Sequence, residues 1–205
     1  MVFNICRAEA AVIDYVPPDE STLIESTTTD LIRIINGDEV GTLTSSVYHD
    51  GTVYTYVLEV TPDFTSRPEF NMGLSSIYSA IGGEYFNYGY DFAQANTAMT
   101  DTSGNNPSGT GGEIFAVTID SDNTIDWNIT EAYLTSDYYW ESGNVITFFF
   151  ESSSAPVDGF YNYSAGLYSA KATGFVPNPV PLPGTFLFMG SGMLITGLIR
   201  RIKKK

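Results

Sequence analysis

Residues 40–60 read VGTLTSSVYHDGTVYTYVLEV, two runs of alternating residues joined by Asp50-Gly51. Asp-Gly is a preferred two-residue hairpin loop, because both positions tolerate positive φ. That loop sets His49 opposite Thr52, Val47 opposite Tyr54, Ser45 opposite Tyr56 and Leu43 opposite Leu58. Strand side chains alternate with period two, so Leu43, Val47, Tyr54, Tyr56 and Leu58 share one face. A chain with this pattern at its centre has to bury that face against more β-structure.

Further strand signals follow at short spacing. Phe86, Tyr88, Tyr90 and Phe92 alternate in YFNYGYDF, which predicts one aromatic strand face. GEIFAVTID (112–120) leads through the polar turn Ser121-Asp122-Asn123 into TIDWNIT, and VITFFFE begins at Val145. SAPVDG (154–159) reads as the next turn, before FYNYSAGLYSAKATG. Short strands separated by turn residues predict an all-β fold, an antiparallel β-sandwich of immunoglobulin-like or jelly-roll type. No segment before the C-terminal tail carries a convincing helical pattern; the nearest, Met72 to Ile81, is short and serine-rich. TDTSGNNPSGTGG (100–112) is loop by composition, with no Lys-Ser/Thr or helix start to make it a phosphate cradle.

Charge divides the chain sharply. All 24 acidic residues precede Gly184, whereas five of the nine basic residues follow it. The body is therefore strongly anionic, which argues against nucleic acid as a partner, since phosphates would be repelled. From Gly184 to Ile199 no residue is charged. As a helix those sixteen residues would cover about 24 Å, near the span of a bilayer core once the flanking Leu182 and Ile202 are counted. Pro183 suits the first helical turn, and no polar face interrupts the run. Arg200, Arg201, Lys203, Lys204 and Lys205 then favour the cytoplasmic side. The expected organisation is a signal-peptide remnant over 1–10, an acidic β domain over 11–174 and a stiff proline-rich spacer over 175–183. A transmembrane helix over 184–199 and a basic tail over 200–205 complete it.

Cys6, the sole cysteine, precedes Ala8-Glu9-Ala10, a small-x-small pattern like a signal-peptidase site; cleavage there would leave a cysteine-free chain. Met1 to Ile5 is too short for the apolar core of a signal peptide, so the coding start is expected further upstream. Val180-Pro181-Leu182-Pro183-Gly184, then Gly190-Ser191-Gly192 and Arg200-Arg201, resemble the PEP-CTERM sorting signal in its Val-Pro-Leu-Pro variant. Pro181-Leu182-Pro183 stands where that family usually has Pro-Glu-Pro. The resemblance implies a Gram-negative exported protein, handled by an exosortase at the inner membrane and delivered to the outer surface or the exopolysaccharide matrix. It makes Pro181, Leu182 and Pro183 the recognition residues.

The sequence offers little to catalysis. His49, the only histidine, stands at a hairpin end, and neither G-x-S-x-G nor His-Glu-x-x-His occurs. A glycosidase needs only two carboxylates, but nothing selects a pair among so many. Asp120, Asp122 and Asp126 resemble a calcium loop only until Thr124, which stands where a ligand should follow. No cofactor or metal is expected. Tyr138, Tyr139 and Trp140 follow Asp137 in an expected loop and are candidate glycan contacts, their rings offering stacking surfaces. Asn128-Ile129-Thr130 and Asn162-Tyr163-Ser164 match glycosylation sequons. The resulting expectation is a non-enzymatic surface protein with a structural or adhesive role. A carbohydrate-binding module of the exopolysaccharide matrix is the alternative, and a secreted hydrolase a second.

Overall fold

The computed structural model describes residues 12–63, 75–76, 85–119, 124–134, 138–165 and 168–178. The strands in chain order are β1 (Ile13–Asp14), β2 (Leu23–Arg33), β3 (Glu39–His49), β4 (Tyr54–Pro62), β5 (Ser75–Ser76), β6 (Tyr85–Tyr90) and β7 (Met99–Thr100). After them come β8 (Phe115–Ile119), β9 (Ile125–Ile129), β10 (Tyr139–Trp140), β11 (Ile146–Ser152), β12 (Pro156–Ala165) and β13 (Tyr168–Pro177). Two short α-helices, α1 (Phe92–Ala98) and α2 (Glu131–Leu134), and a 3-10 turn at Glu20–Thr22 complete the described elements.

The β-rich, largely antiparallel character expected from the sequence is what the chain adopts. Nine strands pair in the order β1-β6-β11-β4-β3-β2-β13-β12-β5, and β7–β10 and β8–β9 form two ribbons. Among the described residues, only β1 on β6 is parallel. The main pairing thus runs through one curled sheet. β13 starts beside β2, with Ala170 opposite Arg33, and then crosses the inner face of β3. There the Phe175 N–H donates to Ser45 Oγ at 3.0 Å, and Thr29 Oγ1 donates to the Thr173 carbonyl at 2.7 Å. Gly174 permits this approach: a Cβ would lie 2.9 Å from that of Ser45.

The central hairpin forms with the faces expected and a different register. His49 pairs with Tyr54, Val47 with Tyr56, Ser45 with Leu58 and Leu43 with Val60, so the loop has four residues, Asp50–Val53. Asp50 explains the longer loop. Its Oδ1 accepts from Thr52 N, Val53 N and Thr52 Oγ1 at 2.7–2.9 Å, and His49 stacks on Tyr54 beyond it. The slip is two residues, an even number, so every side chain keeps its face. Leu43, Val47, Tyr56 and Leu58 are fully buried, and Tyr54 packs against them half-buried.

The aromatic run 86–92 is not one strand face. Asn87 adopts φ +49° beside the bulge where β11 shifts register, and this changes the phase of β6. Tyr85, not Phe86, therefore meets the inner ring of Phe150, while Phe86 pairs with outward Glu151. Phe92 opens α1, whose N-cap Asp91 accepts from Gln94 N at 2.8 Å. The expected turn over 154–159 is shorter, since Pro156 to Gly159 already belong to β12. FYNYSAGLYSAKATG folds back on itself, with Ala165 opposite Tyr168. Phe175, Val176 and Pro177 belong to β13, so pairing takes up the start of the expected spacer.

The β8–β9 hairpin, with Phe115 opposite Ile129, closes the inner face of β6 and β11. Phe115, Trp127 and Trp140 surround Phe148, with ring centroids 5.3, 5.6 and 6.2 Å from it. Trp127 and Tyr90 match their polar atoms within this core. Trp127 Nε1 donates to the Gly89 carbonyl, and Tyr90 OH donates to that of Gly111 while accepting from Phe115 N. Several expectations lie outside the described residues: the signal remnant with Cys6, most of Met72–Ile81, and the Ser121–Asn123 turn with Asp120 and Asp122. So do Pro181, Leu182 and Pro183, the 184–199 span and the basic residues Arg200, Arg201, Lys203, Lys204 and Lys205. No helix among the described residues is long and apolar enough to cross a membrane.

Candidate functional site

The three aromatics singled out in the sequence separate in the structure. They do not share a loop: Tyr139 and Trp140 form β10, pairing with Thr100 and Met99 of β7. Trp140 is 1% exposed and donates through Nε1 to the Asn144 carbonyl at 2.7 Å, so its ring belongs to the core and is closed to ligands. Tyr138 is half-buried against Tyr133, 5.5 Å between centroids. Tyr139 alone reaches a surface cavity of about 550 Å³, shared with Thr100, Asp101, Thr102, Gly104, Glu141 and Ser142.

Local sequence builds this cavity. The 100–112 segment begins with Asp101, whose Oδ1 accepts from Ser103 N and Asn105 N, both at 2.8 Å, while Gly104 takes φ +79°. Hydrogen bonding from the Asn105 side chain and then its backbone holds the Asp101 carboxyl below its ordinary range, so it stays anionic. Glu141 is fixed on the other wall, accepting from Thr100 Oγ1 at 2.8 Å and Asn144 Nδ2 at 3.3 Å. The ribbon is tied to the body by Glu141 N to the Ala98 carbonyl and Gly143 N to that of Pro62. One ring face, two oriented carboxylates and several hydroxyls make a wall suited to polyhydroxylated ligands. His49 is not near it; it stacks on Tyr54 at the Asp50 loop. Among the described residues, no group of three His, Cys, Asp or Glu stands ready to hold a metal.

The cavity's position in the fold is defined by strand ends. It lies beside Pro62, which pairs with Gly41 at the start of β3; Glu39 pairs with Ile32 near the end of β2, and Arg33 with Ala170 near the start of β13. The chain leaves β13 at the other end, where Asn178 N donates to the Ala155 carbonyl. Cavity and exit thus sit at opposite ends of the strands.

Sequence reasoning missed a second hollow, about 520 Å³, on the outer face. The segment 15–22 crosses that face, and Tyr15 lies over Phe149 at 5.5 Å. Pro17, Tyr48, Asn87, Phe149 and Glu151 contribute to its walls, with Asn87 Nδ2 donating to Glu151 Oε2 at 2.7 Å. Burial, followed by the nearby Tyr48, Glu59 and Asp91, pushes the Tyr15 phenol up to about 12. The only local signal was an asparagine, a residue that tolerates the left-handed region, within an aromatic strand.

No protein-family model matches the chain, and no curated protein sequence matches it. Among solved structures it is similar to the KRT10-binding region domain of the pneumococcal serine rich repeat protein PsrP, with 10% identity and a TM-score of 0.30. The match covers 69% of this chain and 85% of that one. At that score and identity the likeness carries neither fold nor function across.

Proposed function

We propose that this chain is a non-enzymatic exported protein whose acidic β domain, a sandwich-like body, works structurally or adhesively in the cell envelope or extracellular matrix. An exosortase recognises Pro181-Leu182-Pro183 while the 184–199 segment crosses the inner membrane with its basic end inside. The processed protein then reaches the outer surface or the matrix. The observation that carries this reading is the separation just described. While the C-terminal segment still tethers the chain, the Tyr139 cavity faces away from the membrane; after processing the severed end lies clear of it, and a matrix polysaccharide can meet it.

The second reading, a carbohydrate-binding module, rests on the composition of that cavity: the Tyr139 ring beside Asp101, Glu141 and hydroxyls. Stacking on an aromatic ring and hydrogen bonding to fixed acceptors are how neutral sugars are held. The test is retention of the purified protein on exopolysaccharide from an exosortase-bearing host. Tyr139→Ala and Glu141→Gln should each lower retention several-fold if the cavity binds glycan. Unchanged retention in both assigns adhesion to another surface, and no retention of the wild type removes the polysaccharide partner.

A further inference from the structure

The outer edge of β2 is open. β13 pairs with β2 only at Ile32 and Arg33 before it crosses onto β3. Among the described residues, no strand continues that pairing along Leu23 to Asp30. Leu23 is 44% and Ile24 47% exposed, and Glu25, Ser26 and Thr28 are exposed as well. Between irregularities at either end, Glu25 to Asp30 runs in unbroken register with β3, so the edge is regular. It contains no Lys, Pro or Gly. Proteins usually blunt such an edge with those residues, because unpaired N–H and C=O groups template another strand.

We infer that the β2 edge is an interface with a second copy of this chain, antiparallel β2 on β2, which continues the sheet across a two-fold axis. Charge and symmetry identify the occupant. An axis normal to the sheet keeps each face on its own side, so one residue must face its own mate. Centring on Glu25 would set two carboxylates opposite each other, which is unfavourable. Centring on Ser26 sets Glu25 opposite Thr27 within the regular stretch, so each carboxylate faces a hydroxyl, and brings the exposed Ile24 beside Thr28 of the other copy. This register also stays clear of Ile32, where β13 occupies the edge. The stretch Leu23 to Thr29 has one charged residue in a strongly acidic body, so two copies approach there with little carboxylate repulsion.

The experiment uses the full-length chain in mild detergent with Cys6→Ser, carrying Ser26→Cys. Directly opposed strand residues fall within disulfide reach, so gentle oxidation should give a covalent dimer about tenfold faster than the exposed control Ser153→Cys. The unmodified chain should be dimeric by light scattering at micromolar concentration. Ile24→Lys with Thr28→Lys sets lysines opposite lysines and should give a monomer with unchanged circular dichroism and melting temperature. Added salt should strengthen the dimer by screening the two acidic bodies. A monomeric wild type, equal cross-linking at Ser26 and Ser153, or a dimer that survives the double lysine change would each overturn the inference.

Discussion

Tyr56 of β4 and Phe150 of β11 face each other across the ladder and stack, ring centroids 4.8 Å apart and planes 7° from parallel. The edge of this stack receives Tyr85 at 5.3 Å from Phe150, and the Tyr56 hydroxyl donates to the Ser154 carbonyl at 2.8 Å. The pair thereby ties the inner face of the sheet to the turn between β11 and β12. Large aromatics held this way dominate core energetics, and the Tyr56 hydroxyl is itself matched.

Tyr56→Asp places a charge in this stack without a partner and is expected to cost on the order of 4 kcal/mol or to prevent folding. Thr55→Asp, one residue along, points outward opposite Glu151 and should cost about 1 kcal/mol or less, from like charges across the ladder. Urea unfolding of both variants checks this. Equal midpoints would show that the two faces are buried alike.

The faces of this hairpin were legible because apolar alternation survives any even slip. Its register was not, because Asp50 gathers three hydrogen bonds and lengthens the loop by two residues. Phe92 continued the aromatic rhythm in sequence, yet Asp91 beside it was a helix cap, and capping decided the local structure. Tyr139 stood out as a candidate from its place in an aromatic cluster. Its neighbours Thr100, Asp101 and Glu141 did not, since only the β7–β10 ribbon brings residues forty positions apart to one wall. Trp140 was misplaced because period two sends alternate members of Tyr138-Tyr139-Trp140 to opposite sides.

Asp50 gives a pH prediction. Hydrogen bonds, first from the Thr52 hydroxyl and then from Val53 N and Thr52 N, hold its carboxyl down to about 2. A folded pKa below the unfolded one contributes stability above about pH 4, which is lost as pH falls toward 2. Asp50→Ala should therefore melt below the wild type at pH 7, with the gap closing by pH 2. A gap that stays constant over that range would contradict the turn's role.

The opposite limb belongs to the tyrosines. Burial pushes Tyr15 and Tyr90 up to about 12, and raises Tyr56 and Tyr161 well above the ordinary phenol as well. A folded pKa above the unfolded one leaves stability intact below about pH 10 and erodes it as pH rises toward 12. Tyrosinate absorbance should therefore lag behind that of free tyrosine and then rise together with loss of near-ultraviolet circular dichroism. Full ionisation at pH 10 with the fold retained would show these rings to be solvated.

For the sorting segment, Pro181→Ala with Pro183→Ala should leave membrane insertion unchanged, because neither the apolar span nor the basic flank is altered. In a host with a matching exosortase, the double variant should stay full length in the inner membrane. The wild type should lose its C-terminal segment, since fixed φ at both prolines presents a defined backbone to an enzyme. Mass spectrometry of the C-terminus with cell fractionation checks both. Two full-length products would reduce the segment to an anchor.

The place of β13 within the sheet has a consequence for biogenesis. β13 lies between β2 and β12 in the strand order, although some 140 residues separate Arg33 from its partner Ala170. Any process that delivers this chain N-terminus first releases β2, β3 and β4 as a meander long before the strand that joins it to β12. The meander waits with its inner face open, and closing such a distant contact is slow. The ten residues of β13 therefore act as a keystone. For a chain threaded through a narrow pore, the domain would stay threadable until β13 has cleared it, and docking of β13 would close the way back.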